Sequence, residues 1–178
     1  LMSMCRDSLL QARFSEFLDG LCRLAELETS RTRWQHAFHE TAKMYLERFQ
    51  HVRSVYHDGL HGDVIGGYAR LADEGRIELI TTAATHGYLP LMEVCPSAAR
   101  AQIIAAASYY RNTFGHGPRG MWLPECGYYP GVDAYLREAG VRYFFTDAHG
   151  IENASPRSRY GVDAPIYCHS GVAALGRD

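Results

Sequence analysis

Three short apolar segments of this sequence each run directly into a polar cluster. Thr82-Ala83-Ala84-Thr85-His86 follows the first, Pro124-Glu125-Cys126 the second and Asp147-Ala148-His149 the third. Glu125 is flanked by Trp122-Leu123-Pro124 and Cys126-Gly127-Tyr128-Tyr129, so it reads as a carboxylate walled by apolar and aromatic groups. Such a carboxylate is costly unless it is paired or used. It could equally cap the next helix or pair with Arg119, and on residue chemistry alone both readings stand. Trp122 is either a stacking platform or core. His86 lies between a buried run and Gly87-Tyr88-Leu89-Pro90, where a lone histidine is usually a hydrogen-bonded structural residue. Asp147 and His149 suit a metal pair, a hydroxyl clamp or a pair that fixes a loop. His36, His39 and His51 fall on helical stretches and read as solvated, while His57 and His61 carry no assignment. The chain has no G-x-G-x-x-G after a strand, no P-loop, no H-E-x-x-H and no G-x-S-x-G.

The elements that must place these residues follow from periodicity. Leu10, Phe14, Phe17, Leu18, Leu21, Leu24 and Ala25 recur at helical spacing and predict one amphipathic helix. Trp34, Phe38, Tyr45, Phe49 and Val52 predict a second, which Tyr56–Gly62 should break. A third runs from Val64 to Ala72 and closes at Gly75, a C-cap position. Beyond it, Arg76–Thr82, Gly120–Leu123 and Val141–Thr146 read as buried strands, separated by helices over Ser97–Phe114 and Val132–Ala139. After Ile151 the pattern fades into a loop, with a possible strand near Ile166-Tyr167. Strand–helix–strand order with short connections favours parallel strands in an α/β layer or barrel. The carboxyl ends of parallel strands share one face, and active sites form there. His86, Glu125, Asp147 and His149 all fall on that face. The expected organisation is a helical subdomain over 1–75 and part of a barrel over 76–178.

Bulk properties narrow the function classes. The chain has 178 residues, 47% hydrophobic and 21% charged, enough to bury one core. A net charge of −2 gives no reason to expect nucleic acid or an anionic membrane as partner. No apolar run approaches the ~20 residues that span a bilayer, and no secretory leader is recognisable. The five cysteines, Cys5, Cys22, Cys95, Cys126 and Cys168, contain no C-x-x-C pair and read as free thiols of a cytoplasmic protein. Oligomeric state is not legible. The chain starts at Leu1-Met2 and stops at Gly176-Arg177-Asp178 without a closing element, which reads as a piece cut at both ends.

The run Gly120-Met121-Trp122-Leu123-Pro124-Glu125-Cys126-Gly127-Tyr128 resembles the nucleophile motif of glycoside hydrolase family 57, most closely its 1,4-α-glucan branching enzymes. Gly75–Thr81 with Ala84–Leu91 resembles the family's second motif, and Tyr143–Gly150 gives a third match. The first half is similar to the helical insert that precedes the second motif. The resemblance implies a partial (β/α)7 TIM-like barrel acting on α-1,4-glucan by double displacement with retention, without a cofactor or metal. It implies Glu125 as the nucleophile and His86 as a residue lining the adjacent glucose site. Trp122, Asp147 and His149 would be substrate-binding residues or supports.

A retaining mechanism needs a second carboxyl group ~5–5.5 Å from the first. Asp147 is at a suitable strand end, but the family's acid/base aspartate belongs to a later motif of the Asp-Ala-Glu-Leu-Phe-Gly type, which this chain lacks. The first family motif is missing as well. These 178 residues alone are therefore expected to be inactive, since general acid catalysis contributes about 10²–10⁴-fold. Two same-family alternatives are an α-amylase and a 4-α-glucanotransferase. A third is a metal-dependent polysaccharide deacetylase, with His86, Asp147 and His149 as ligands. The last is a piece that only binds carbohydrate or does nothing alone.

Overall fold

A computed structural model describes residues 1–177. The chain divides into two compact units, Leu1–Ile77 and Glu78–Asp178. No helix is long and apolar enough to cross a membrane, among the described residues.

The first unit is helical, with α1 (Met2–Cys5), α2 (Ser8–Arg31), α3 (His36–Ser54) and α4 (Val64–Asp73). Asp7 starts α2 by accepting a hydrogen bond from the Leu10 amide at 2.9 Å, which satisfies one of the free N–H groups of the first turn. Asp63 does the same for α4 through the Gly66 amide at 2.8 Å. Gly75 follows α4 at φ 69°, the left-handed stop anticipated there. The break after α3 comes later than expected. The helix runs on into a π-turn over Val55–Gly59, and the chain turns only at His61 and Gly62, both at positive φ.

The helix faces differ from the sequence reading. In α2 only Leu18, Cys22 and Ala25 are buried, at steps of four and three residues, while Phe14, Phe17 and Leu24 are exposed. In α3 no residue is buried, and Phe38, Tyr45 and Val52 are exposed. Trp34 precedes the helix and is 83% exposed. The packing of α2 on α3 buries one narrow stripe of α2, whereas the apolar residues of both helices spread around more of the circumference.

The second unit carries β1 (Thr81–Thr82), α5 (Pro96–Phe114), β2 (Gly120–Trp122), α6 (Val132–Glu138), β3 (Tyr143–Asp147), α7 (Ala148–Glu152), β4 (Ile166–Tyr167) and β5 (Ala173–Arg177). The sheet order is β1-β2-β3-β5-β4, with β1, β2, β3 and β5 parallel and β4 antiparallel to β5. The α/β class with parallel strands is thus borne out. Ile103, Ala107, Met121, Leu136, Phe144 and Val172 form a core between the sheet and its helices, each under 3% exposed. Burying each large side chain of this kind stabilises by about 1.5–3 kcal/mol.

Two strand expectations needed revision. The run Arg76–Thr82 is extended but pairs only at Thr81 and Thr82, opposite Met121 and Trp122. Because β2 starts at Gly120, residues upstream of Ile80 have no ladder partner. The Leu79 carbonyl instead accepts a hydrogen bond from the Tyr110 hydroxyl at 3.1 Å. At the other end, Ile166-Tyr167 is a strand as suspected, but it depends on β5, which the sequence reading lacked. β5 is built from Ala173, Ala174, Leu175 and Gly176, residues too small to advertise a strand.

Candidate active site

The parallel register aligns Thr82, Trp122, Phe145 and Leu175 across the sheet, so the segments leaving β1, β2, β3 and β5 emerge on the same side. Beyond β2 the chain makes a single tight turn over Pro124–Cys126. Glu125 sits at φ 51°, ψ 30° and Cys126 at φ 55°, both left-handed. Such a conformation costs roughly 1–2 kcal/mol per non-glycine residue. Two in succession send neighbouring side chains in opposite directions: Cys126 is 4% exposed, while the Glu125 side chain is 80% exposed. The expectation that Glu125 is walled in by aromatics is therefore overturned. Pro124, Cys126 and Gly127 are buried, and the carboxylate is lifted clear of them into the open. Arg119 is not its partner either, lying 3.9 Å from Glu78 instead.

His86 is the nearest ionisable neighbour of Glu125, with Nε2 3.9 Å from Oε1. It too is left-handed, at φ 56°. Its Nδ1 lies 3.0 Å from the Thr82 hydroxyl, which fixes the ring and leaves Nε2 facing the carboxylate. The turn that presents it is tied to α5 by Gln102, whose side-chain oxygen accepts from the Thr85 amide and whose amide group donates to the Thr85 hydroxyl, both at 2.9 Å. Gly127, just past the Glu125 turn, packs so tightly that a Cβ there would strike the Tyr88 ring and come within 2.9 Å of Pro90. The His86 loop and the Glu125 turn are thus braced against one another.

Asp147 and Trp122 meet through a residue that sequence reasoning missed. Arg177, at the end of β5 and in register with Asp147, places Nη2 2.8 Å from Oδ1 of that carboxylate. Its guanidinium also lies 5.7 Å from the centroid of the Trp122 ring, which packs at 5.9 Å against Phe145. The Cys126 thiol lies close to this pair and is buried. Burial pushes that thiol's pKa up, and the Arg177 charge only partly opposes it. His149 is exposed in the first turn of α7. A cavity of about 790 Å³ opens beside the turn, lined among others by Glu125, Tyr128, Asp147, His149 and Tyr167. That size suits a small ligand or a few linked sugar rings. His86 and Trp122 lie outside its lining.

The arrangement presents an exposed carboxylate beside an oriented imidazole, at the mouth of a cavity with aromatic walls. A carboxylate so placed can attack an electrophilic carbon. Asp147 is already engaged by Arg177. No group of three His, Cys, Asp or Glu side chains is arranged to hold a metal ion, among the described residues. The deacetylase alternative, which needed His86, Asp147 and His149 together, loses its ligand set. Two signals could have led to the missed residues. Gln102 is a polar position on the core-facing helix α5, and Arg177 ends the last apolar run just as Asp147 ends β3.

Comparison with known proteins gives these features a family. Residues 8–175 match the description of Glycosyl hydrolase family 57. The 1,4-alpha-glucan branching enzyme of Thermococcus kodakarensis is 32% identical over 170 residues, covering 87% of this chain and 24% of that enzyme. Among solved structures, the alpha-amylase AmyC of Thermotoga maritima superposes with a TM-score of 0.91 at 38% identity, over 100% of this chain and 34% of that one. A branching enzyme of the same family from Pyrococcus horikoshii gives 0.88 at 30% identity, over 99% of this chain and 35% of that one. The chain thus spans about a quarter to a third of the relatives it matches, and the expected partial TIM-like (β/α)7 barrel is borne out by these neighbours. The chain belongs to glycosyl hydrolase family 57.

Proposed function

We propose that this chain carries the nucleophile-bearing part of a retaining 1,4-α-glucan branching enzyme. The observation that carries the reading is the Glu125 turn. Two consecutive left-handed residues expose the carboxylate beside His86, within the sequence that resembles the family's nucleophile motif. In this reading a Glu125 oxygen attacks the anomeric carbon of an α-1,4-linked glucosyl unit and forms a glycosyl ester as the C1–O4 bond breaks, the departing O4 taking a proton from the general acid. The 6-hydroxyl of a second glucan chain then attacks C1, returns a proton to that group and releases the Glu125 carboxylate, giving an α-1,6 branch. His86, Trp122, Asp147 and His149 serve the donor sugar, directly or by support. Residues 1–75 act as a helical insert of the catalytic domain. The general acid comes from residues other than these 178, so the chain alone transfers nothing. We place the enzyme in cytoplasmic synthesis of glycogen-like glucan, in keeping with its five free thiols.

The test is Glu125→Gln in the polypeptide that carries this chain, assayed for isoamylase-sensitive branches introduced into amylose. Branching should be abolished, and branches formed at the unaltered rate would overturn the assignment. A second reading, hydrolysis, is favoured by the similarity to the Thermotoga maritima alpha-amylase. It predicts new reducing ends without isoamylase-sensitive linkages in the same assay.

A further inference from the structure

The Glu125–Cys126 turn is strained, and its own hydrogen bonds do not account for its persistence. Cys126 N–H donates to the Leu123 carbonyl at 2.9 Å and Gly127 N–H to the Pro124 carbonyl at 3.0 Å. Ordinary turns with right-handed backbones make the same two bonds. Two successive left-handed non-glycine residues survive only where the surroundings over-determine them, and such strain concentrates at functional sites. Of the four non-glycine residues with positive φ among those described, three are His86, Glu125 and Cys126.

The surroundings that hold the turn come from β3 and β5. The Thr146 hydroxyl, itself buried, donates to the Cys126 carbonyl at 3.2 Å. Asp147, the next residue, ends β3. The end of β3 therefore grips the turn at the Cys126 backbone. Asp147 is held in turn by Arg177, its partner in the β3–β5 ladder, whose guanidinium rests against Trp122 at the end of β2. The contacts form a closed loop: β2 leads into the turn, the turn is gripped by β3, β3 is braced by β5, and β5 returns to β2. Pinning Cys126 in its inward, left-handed state fixes the direction in which the preceding residue points, and that residue is Glu125.

We propose that Thr146 is a positioning residue, a clamp on the Cys126 backbone that is braced through β3 by the Asp147–Arg177 pair and holds Glu125 in its attacking geometry. The proposal rests on Glu125 being the nucleophile. Displacing a reacting group by about 1 Å can cost ~10²-fold in rate while leaving substrate affinity intact. The clamp therefore acts on the chemical step and not on binding.

The test uses the polypeptide that carries this chain and 5-fluoro-α-D-glucosyl fluoride as probe. A Glu125 oxygen bonds to C1 as the C1–F bond breaks, and fluoride departs with the bonding pair, needing no proton donor. Fluoride release gives the saturating rate constant and the half-saturation concentration separately, and peptide mass mapping locates the adduct. Thr146→Val should lower the saturating rate ~10–100-fold with half-saturation within about twofold of the unaltered protein. Thr146→Ser, which keeps the hydroxyl, should restore it. An unchanged rate in folded Thr146→Val, or a loss confined to half-saturation, would overturn the clamp. If Thr146→Val does not fold, Thr146→Ala is judged by the same two criteria. Glu125→Gln separates the two readings. An adduct on that variant, or none on the unaltered protein, would overturn both, whereas no adduct there beside an unimpaired Thr146→Val would overturn the clamp alone.

Discussion

Glu125 reaches solvent because of the backbone, not because of what surrounds its side chain. Its flanking sequence suggested a carboxylate made costly by desolvation, yet the left-handed turn turns the apolar neighbours inward and the carboxylate out. His86 then matters for its orientation. Thr82 holds Nδ1, so Nε2 is the nitrogen that faces Glu125. Hydrogen bonds that involve a charged group contribute about 1.5–3 kcal/mol, and neutral ones about 1. His86→Ala should accordingly cost ~10–100-fold in kcat/KM for α-glucan. Thr82→Val, which removes only the anchor, should cost roughly 3–10-fold. The ranking is the prediction: a Thr82→Val loss equal to that of His86→Ala, or no loss in either variant, would show that the ring does not act on the substrate.

At the scale of elements, a single buried carboxylate ties together two connections of the sheet unit. Asp133, 6% exposed in the first turn of α6, accepts from the Tyr128 hydroxyl at 3.2 Å and from the Ser170 amide at 3.3 Å. It thereby links the segment just after Glu125 to the turn that leads into β5. Burial pushes its pKa up, but the hydrogen bonds from Ser170 and Tyr128 outweigh burial and hold the carboxyl below the usual aspartate range. A carboxylate depressed in the folded state stabilises above its unfolded pKa of ~3.9, and that contribution is lost as pH falls through the folded value. Asp133→Asn should therefore be less stable than the unaltered protein by about 1–3 kcal/mol at pH 7. Urea midpoints should show the gap shrinking below pH ~4, and a gap that persists unchanged at pH 3 would contradict this account. Asp133 also marks the limit of what the sequence revealed. The three strand ends, their order and their polar residues could be read from apolar runs that stop at Thr82, Leu123 and Thr146. Asp133 carries no signal of its own in the sequence, because its partners at 128 and 170 are brought to it only by packing. β5 and Arg177 were hidden for a related reason: a strand of small residues is stabilised by its neighbours and carries little pattern of its own.

At the scale of the whole molecule, the thiols report on how the two units fold. The helical unit was legible in its helices and not in its buried stripe, since periodicity fixes a face only when apolar residues are confined to it. Cysteine environments follow the same logic, because burial by distant elements sets them and local sequence does not. Cys95 is exposed, and hydrogen bonds from the Ser97 hydroxyl and the Ala98 amide lower its pKa. Cys126 is buried in the Glu125 turn, and Cys168 is half-buried just after β4; burial raises the pKa of both. The thiolate is the reactive form, so exposure and a lowered pKa act together at Cys95 and oppose reaction at Cys126. Limiting iodoacetamide at pH 8 should modify Cys95 on the order of tenfold or more faster than Cys126. Cys126 should catch up only in urea concentrations that melt the sheet unit, as read by peptide mass mapping alongside circular dichroism. Fast alkylation of Cys126 in the folded protein would mean that the turn opens readily in solution. Neither the packing of Glu78–Asp178 nor the fixed direction of Glu125 would then hold as described.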